Sequence, residues 1–399
     1  MTSLGRSLLA ATATTAALLT PFAAAAPAPA TPGCLTSTPY TAGRGGYATY
    51  RIPAVVTTGE GTVLAFAEGR RDGVADSGAI DVVLRRSDDG GCTWGPLAVV
   101  AAGRADTRGN PAPVLDPRTG RIVLVTSYNA GSVTEAQIMR GEATSRQTRR
   151  VFVQTSADDG RHFTRPREIT AQVKRPDWRW YATGPGHALA LTRGPHAGRL
   201  VVPADHSAAP PPGSLDTGRE YRYYGSHALY SDDGGRTWRI GYSDDSHDGR
   251  DNSNESGAAQ LPDGRIYFTA RDQGGADAGN RLDAYSEDGG RTLVHPYAVQ
   301  HTLDDVPVVQ GSVLQLPGPD APLLFCGPSV PTARRAMALW RSTDGGETFG
   351  KVLTLSGAPA AYSDLTRLAG GRVGILYETG AKGPYERIVF RRVPLGAVR

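Results

Sequence analysis

One octapeptide pattern occurs five times along the chain: SDDGGCTW from Ser87, SADDGRHF from Ser156, SDDGGRTW from Ser231, SEDGGRTL from Ser286 and STDGGETF from Ser342. Each copy follows Ser-x-Asp-x-Gly-x-Thr-aromatic, with His162 in the threonine place of the second and Leu293 in the aromatic place of the fourth. A repeat of this kind restricts the chain to architectures that stack one supersecondary unit on itself. The aspartate can accept backbone N–H bonds, the glycine supplies positive φ, and the aromatic can fold back on its strands, so each copy predicts a tight turn in a strand pair. The turns recur in places that cannot all converge on one site. They therefore read as staples rather than as catalytic or calcium-binding groups.

Between the copies lie short runs bounded by Gly, Pro, Asn or Asp, among them GTVLAFAEG, RIVLVTSY, RLVVPAD, RIYFTARD and RVGILYETG, which read as strands. With 50 glycines, 29 prolines and no long amphipathic period, an all-β fold is expected. The copies start roughly 55 to 75 residues apart, the size of a four-stranded antiparallel unit, and the chain accommodates about six of them. The expected architecture is a six-bladed β-propeller forming a single domain over 27–399. The stretches 131–150 and 210–224 are expected to be long loops near a site mouth.

The N-terminus places Arg6 before the apolar stretch Leu8 to Leu19 and the small residues of PFAAAAPAPA, the layout of a secretory leader. A cleaved leader over 1–26 and an extracellular, secreted product are expected; no later segment is apolar enough to span a bilayer. Three cysteines, Cys34, Cys92 and Cys326, exclude a disulfide framework and form no metal cluster. In a propeller the N-terminal segment returns beside the first blade, so Cys34 with Cys92 is the expected pair. A net charge of +4 with scattered arginines argues against a nucleic-acid binder and suits a small acidic ligand.

The five turns, together with Tyr50-Arg51-Ile52-Pro53 ahead of them, resemble the Asp-boxes and Phe/Tyr-Arg-Ile-Pro signature of the bacterial exo-α-sialidase (neuraminidase) family, over about Tyr40 to Arg391. The boxes alone speak to fold; the tetrapeptide speaks to the family. Sialic acid carries a carboxylate on its anomeric carbon, which a cluster of guanidinium groups can grip. The resemblance implies Arg51, Arg271 in FTARD, and Arg335, seven residues before Ser342, with Arg334 as the competing position. Glu378 in GILYETG resembles the glutamate that braces the first arginine. Arg70 resembles a residue near the substrate carboxylate and 4-hydroxyl, and Asn110 one that lines the pocket around C4 and the N-acetyl group.

Retaining glycosidases generally use a carboxylate nucleophile, with the tyrosine of sialidases an exception. A second carboxylate would be repelled by the one on the anomeric carbon, whereas a neutral phenol can approach if a base takes its proton. The resemblance assigns the nucleophile to Tyr362 in AAYSDL and its base to Glu255 in SNESGAAQL. It assigns the acid to Asp76 in the loop EGRRDGVADSGAID, where Asp72 and Asp81 compete. What it implies is a retaining exo-α-sialidase acting on sialylated glycoproteins, glycolipids and oligosaccharides, monomeric and without metal or cofactor. The rivals are a trans-sialidase, and a non-hydrolytic sialic-acid-binding propeller that would have no use for Tyr362, Glu255 and Asp76.

Overall fold

The computed structural model describes residues 1–2, 34–245, 249–274, 280–318 and 320–398. The expected leader over 1–26, apart from Met1 and Thr2, lies outside the described residues. Among the described residues no helix is long and apolar enough to cross a membrane.

The predicted strands form, and consecutive strands pair antiparallel. One sheet joins Ser253–Gln260, Ile266–Asp272, Arg281–Ser286 and Ala298–Val299; another joins Ser312–Gln315, Leu323–Val330, Ala333–Ser342 and Gly350–Thr354. A third is built on Trp178–Thr183, Leu200–Ala208, Tyr224–Ser231 and Arg239–Asp244. A fourth contains Ala360–Leu368, Arg372–Thr379 and Arg387–Pro394, completed by the N-terminal strand Thr36–Thr41. The eight-stranded fifth sheet consists of two antiparallel runs, from Thr49–Thr57 to Ala98–Ala101 and from Thr107–Leu115 to Arg167–Glu168, linked through the parallel pair Ile80 and Thr107. The fold is an all-β propeller of antiparallel blades.

The repeated turns behave as their composition dictates. In the first, Ser87 Oγ donates to Asp89 Oδ1 at 2.7 Å, and Asp89 accepts from Thr93 N at 2.9 Å and Thr93 Oγ1 at 2.6 Å. In the second, His162 replaces the hydroxyl without loss, its Nδ1 lying 2.6 Å from Asp158 Oδ2. Gly91 has φ +89°, and a Cβ there would sit 2.0 Å from the Phe390 ring. That contact brings the first turn against the sheet that ends the chain. The disulfide between Cys34 and Cys92 adds a covalent tie across the same junction, with Cα atoms 5.7 Å apart, leaving Cys326 free and buried.

The stretch 131–150 is not wholly loop. Glu135–Met139 forms a short helix whose N-cap Thr134 and Gln137 make reciprocal bonds. This Thr-x-x-Gln capping box was legible in the sequence and is its start signal.

Two histidines on neighbouring strands are fully buried side by side. His206 Nε2 lies 2.5 Å from Asp245 Oδ1, His206 Nδ1 lies 3.0 Å from His227 Nδ1, and Trp178 stacks on His206 at 3.9 Å. One proton per ring satisfies the chain: His227 donates to His206, which donates to Asp245. Among the described residues, His227 Nε2 is buried with no hydrogen-bond partner. Burial therefore lowers the pKa of both rings, reinforced at His227 by His206 and Arg175, and opposed at His206 by Asp245. Since the unfolded chain takes up these protons near pH 6.5 and the folded one does not, stability is present above that pH and is lost as pH falls below it. Thermal melts from pH 8 to 4.5 are expected to show Tm falling below about pH 6.5, with a shallower slope in His227→Phe; an unchanged slope would remove this account.

Candidate functional site

In every sheet the strand that starts it runs antiparallel to its successor, so the beginning of one and the end of the next share a face. Arg51, Asn110, Trp180, Glu255 and Tyr362 all stand near the start of such first strands; Glu68, Arg70, Arg271 and Glu378 stand near the end of second strands. Register shifts occur at Arg51/Ala54, Gly109/Ala112, Ser253/Ser256 and Ala360/Ser363. Each breaks the ladder where a site residue leaves it, and such bulges re-aim side chains. Two are strained: Ile52 has φ +57° and Asn110 φ +50°. Both strained residues give their N–H to a buried carboxylate, Ile52 to Glu378 at 2.9 Å and Asn110 to Glu68 at 2.8 Å.

These ends surround a cavity of about 920 Å³. At its base Tyr362 Oη donates to Glu255 Oε1 at 2.5 Å, while Arg271 Nη1 donates to Glu255 Oε2 at 2.9 Å and approaches Tyr362 Oη at 3.4 Å. Glu255 and Arg271 meet because their strands form one hairpin, as the intervening LPDGRIYFTA implies. Glu378, fully buried, accepts from Arg51 Nε at 2.8 Å, from Ile52 N, and from Tyr362 N at 3.1 Å. One carboxylate thereby holds both the first arginine and the tyrosine backbone. Burial opposes the charges of Arg51 and Arg271, but Glu378 and Glu255 respectively keep each firmly cationic. Burial and the Glu255 charge push the Tyr362 hydroxyl well above the ordinary tyrosine range, against Arg271, Arg51 and Arg334.

The third arginine requires a correction. Arg335 is exposed, donates to Gly357 O at 3.2 Å and does not line the cavity. Arg334 lines it, lies 5.7 Å over the Tyr362 ring and donates to Tyr385 Oη at 3.0 Å. Adjacent residues of an extended strand face opposite ways, so only one of the pair can point inward. Counting back from Ser342 could not choose between them, because Ala336, with φ +60°, interrupts the strand in between.

Asp76 stands at the mouth on the loop after Val63–Arg70, its side chain 58% exposed and its Oδ1 2.8 Å from Arg70 Nη2. Partial burial works against its charge, but Arg70 and Arg51 hold its carboxyl below the ordinary aspartate value. Its competitors are elsewhere. Asp81 is buried, accepting from Tyr47, Arg71 and Gly103, and Asp72 is exposed and does not line the cavity. Arg70 is clamped by Glu68 through Nε at 2.9 Å and Nη2 at 2.6 Å. Asn110 turns its amide oxygen to Arg149 Nη1 at 3.2 Å.

Sequence reading missed Glu68, Glu135, Arg149, Trp180 and Asp205, all of which line the cavity. Glu68 was detectable as the acid two residues before Arg70, on the same side of a strand. The others carried no local signal, since Trp180 and Asp205 come from two strands of one sheet and Glu135 and Arg149 from the connection between Ile122–Asn129 and Arg150–Ser156. The long stretches at 131–150 and 210–224 do line the mouth, through Glu135, Arg219 and Tyr221.

The family model described as a BNR repeat-like domain matches residues 61–375. The chain is 33% identical to a sialidase of Micromonospora viridifaciens over 85% of its own length, spanning about half (51%) of that relative. It is 30% identical to an exo-alpha-sialidase of Aspergillus fumigatus, with 88% of this chain and 85% of that protein covered. Among solved structures, Hadza microbial sialidase Hz136 superposes with a TM-score of 0.76 at 28% identity, over 90% of this chain and 68% of that one.

Proposed function

The chain belongs to the sialidase family, and we propose that it is a secreted, retaining exo-α-sialidase on a six-bladed propeller, releasing terminal α-linked sialic acid from glycans. Counting the two runs of the eight-stranded sheet as separate blades gives the six. The observation that carries the reading is the 2.5 Å bond from Tyr362 to Glu255 beneath three inward-facing arginines. A tyrosine alone is a weak nucleophile near neutral pH; a glutamate at that distance can take its proton as the oxygen attacks.

In the first step Arg51, Arg271 and Arg334 hold the substrate carboxylate. Tyr362 Oη bonds to the anomeric carbon, its proton passes to Glu255, and the departing glycosidic oxygen takes a proton from Asp76. In the second step Asp76 removes a proton from water, the water oxygen bonds to the anomeric carbon, and the tyrosine oxygen leaves and recovers its proton from Glu255. Two displacements return the α-anomer. The fixed arginines supply the charge stabilisation that the reaction needs.

The test is NMR of an α-sialoside digested by the purified protein, beside Arg334→Ala and Arg335→Ala. Free sialic acid in the α-form is expected first, kcat/KM falling about 10- to 100-fold for Arg334→Ala, the scale of lost charge-assisted bonds, and hardly at all for Arg335→Ala. First release as β-anomer would exclude retention. An anhydro-sugar, or sialic acid moved to a second glycan, would replace hydrolysis by transfer.

A further inference from the structure

The innermost strands carry a second cavity at their far ends. Arg51, Glu255 and Tyr362 stand near the starts of Thr49–Thr57, Ser253–Gln260 and Ala360–Leu368. The ends of those same strands, with the ends of Thr107–Leu115 and Ser312–Gln315, enclose about 610 Å³ on the other side of the ring. The two cavities share no lining residue.

A layer of paired polar groups separates them. Asp364, fully buried, accepts from Val55 N at 2.7 Å, His187 N at 2.8 Å and Ser312 Oγ at 2.9 Å, and pairs with His187 Nδ1 at 2.7 Å. Gln310 bonds to both backbone groups of Ser363 and to Pro185 O. Of these groups only His187 lines the second cavity. Its Nδ1 is committed to Asp364, so Nε2 turns away from that carboxylate towards the cavity, without a partner among the described residues. Burial works against a proton on this ring, but Asp364, by its charge and its hydrogen bond, raises the His187 pKa above the ordinary histidine value.

The rest of the wall suits one kind of occupant. Leu115, Leu189, Leu314 and Leu368 line it half-buried, beside the buried Val114 and Leu365. Arg193 and Arg367 line it exposed, and among the described residues no Asp or Glu does so. An alkane would cover the leucines and strand the imidazolium, whereas a sugar or inorganic anion would meet the imidazolium and leave the apolar wall wet. A carboxylate on an aliphatic chain satisfies both, since a charge-assisted bond to Nε2 anchors one end and apolar contact holds the other. We propose that this cavity is a second ligand site for a small aliphatic carboxylate, its charged end on His187 Nε2 and its chain along Leu115, Leu189, Leu314 and Leu365. The site is separate from the catalytic cavity and does not depend on the sialidase reading.

The experiment is calorimetric titration at about pH 6, below the ordinary histidine value, with hexanoate, hexan-1-ol and acetate as probes. Hexanoate is expected to bind at least about tenfold more tightly than hexan-1-ol, the scale of a hydrogen bond to a charged group, and about a hundredfold more tightly than acetate, which lacks four methylenes. His187→Asn keeps an N–H for Asp364 but removes the free nitrogen, and should weaken hexanoate about tenfold or more. Ala190→Trp places bulk at a half-buried position of the same wall, away from the Asp364 layer, and should abolish binding; it carries the test if His187→Asn does not fold by circular dichroism. Arg334→Ala controls for the catalytic arginines, which also attract carboxylates, and should leave hexanoate affinity unchanged. Affinity lost in Arg334→Ala but kept in a folded Ala190→Trp would put hexanoate in the catalytic cavity and overturn the proposal. Hexan-1-ol binding as tightly as hexanoate, or no hexanoate binding to the wild-type protein, would overturn it as well.

Discussion

Tyr362→Phe is expected to lose activity on the order of 10⁴-fold in kcat/KM, the scale seen when a covalent nucleophile acting in a unit is removed. The substitution deletes one oxygen from a ring that is 6% exposed and packed under Arg51 at 5.0 Å. The fold has little reason to change, because the residue's backbone is held by Glu378 rather than by its hydroxyl. Glu255→Gln keeps the shape but cannot take the phenolic proton, and its loss is expected to approach that of Tyr362→Phe. The double variant should be scarcely worse than either, since two groups that perform one step do not add. Steady-state kinetics on a sialyl-oligosaccharide, with circular dichroism to establish folding, measures all three. A folded Tyr362→Phe that keeps more than about a tenth of the activity would dismiss the covalent mechanism.

Asp76→Ala is expected to separate substrates by leaving group. An alkyl oxygen leaves poorly without a proton, so kcat/KM on a natural glycan should fall by about 10²–10⁴-fold, the usual worth of general acid–base catalysis. An aryl glycoside needs no such help in the first step and should lose far less. The pH dependence follows from the contacts. Arg70 and Arg51 hold Asp76 below the usual aspartate value in the empty site, so the acid form grows as pH falls into the carboxylate range. With the alkyl substrate, kcat/KM should therefore rise on acidification and decline towards neutral pH, and this slope should vanish in Asp76→Ala. Bound substrate carboxylate would offset the Arg51 charge and ease protonation of Asp76 in the complex. Equal losses on alkyl and aryl substrates would take the acid role away from Asp76.

The division between what sequence and structure decide runs through particular residues. The five octapeptides specify their own turns because the bonds that close each turn are local: serine to aspartate two residues on, and aspartate to the following amides and hydroxyl. Repetition of that turn with alternating strands determines a propeller from sequence alone. Tyr50-Arg51-Ile52-Pro53, Glu255, Arg271, Tyr362, Glu378 and Asp76 were picked out by the resemblance of the short motifs around them to the sialidase family, while the choice of Asp76 over Asp72 and Asp81 took the structure, in which only Asp76 of the three lines the cavity. Tertiary structure alone decided between Arg334 and Arg335, because strand facing depends on the irregularity at Ala336, which no spacing reveals. It alone assembled Arg149, Glu135 and Asp205, whose proximity arises only when the ring brings separate blades to one face. Local hydrogen bonds are written in consecutive residues; the facing of a strand and the convergence of distant loops are set by packing, and packing exists only once the ring has closed.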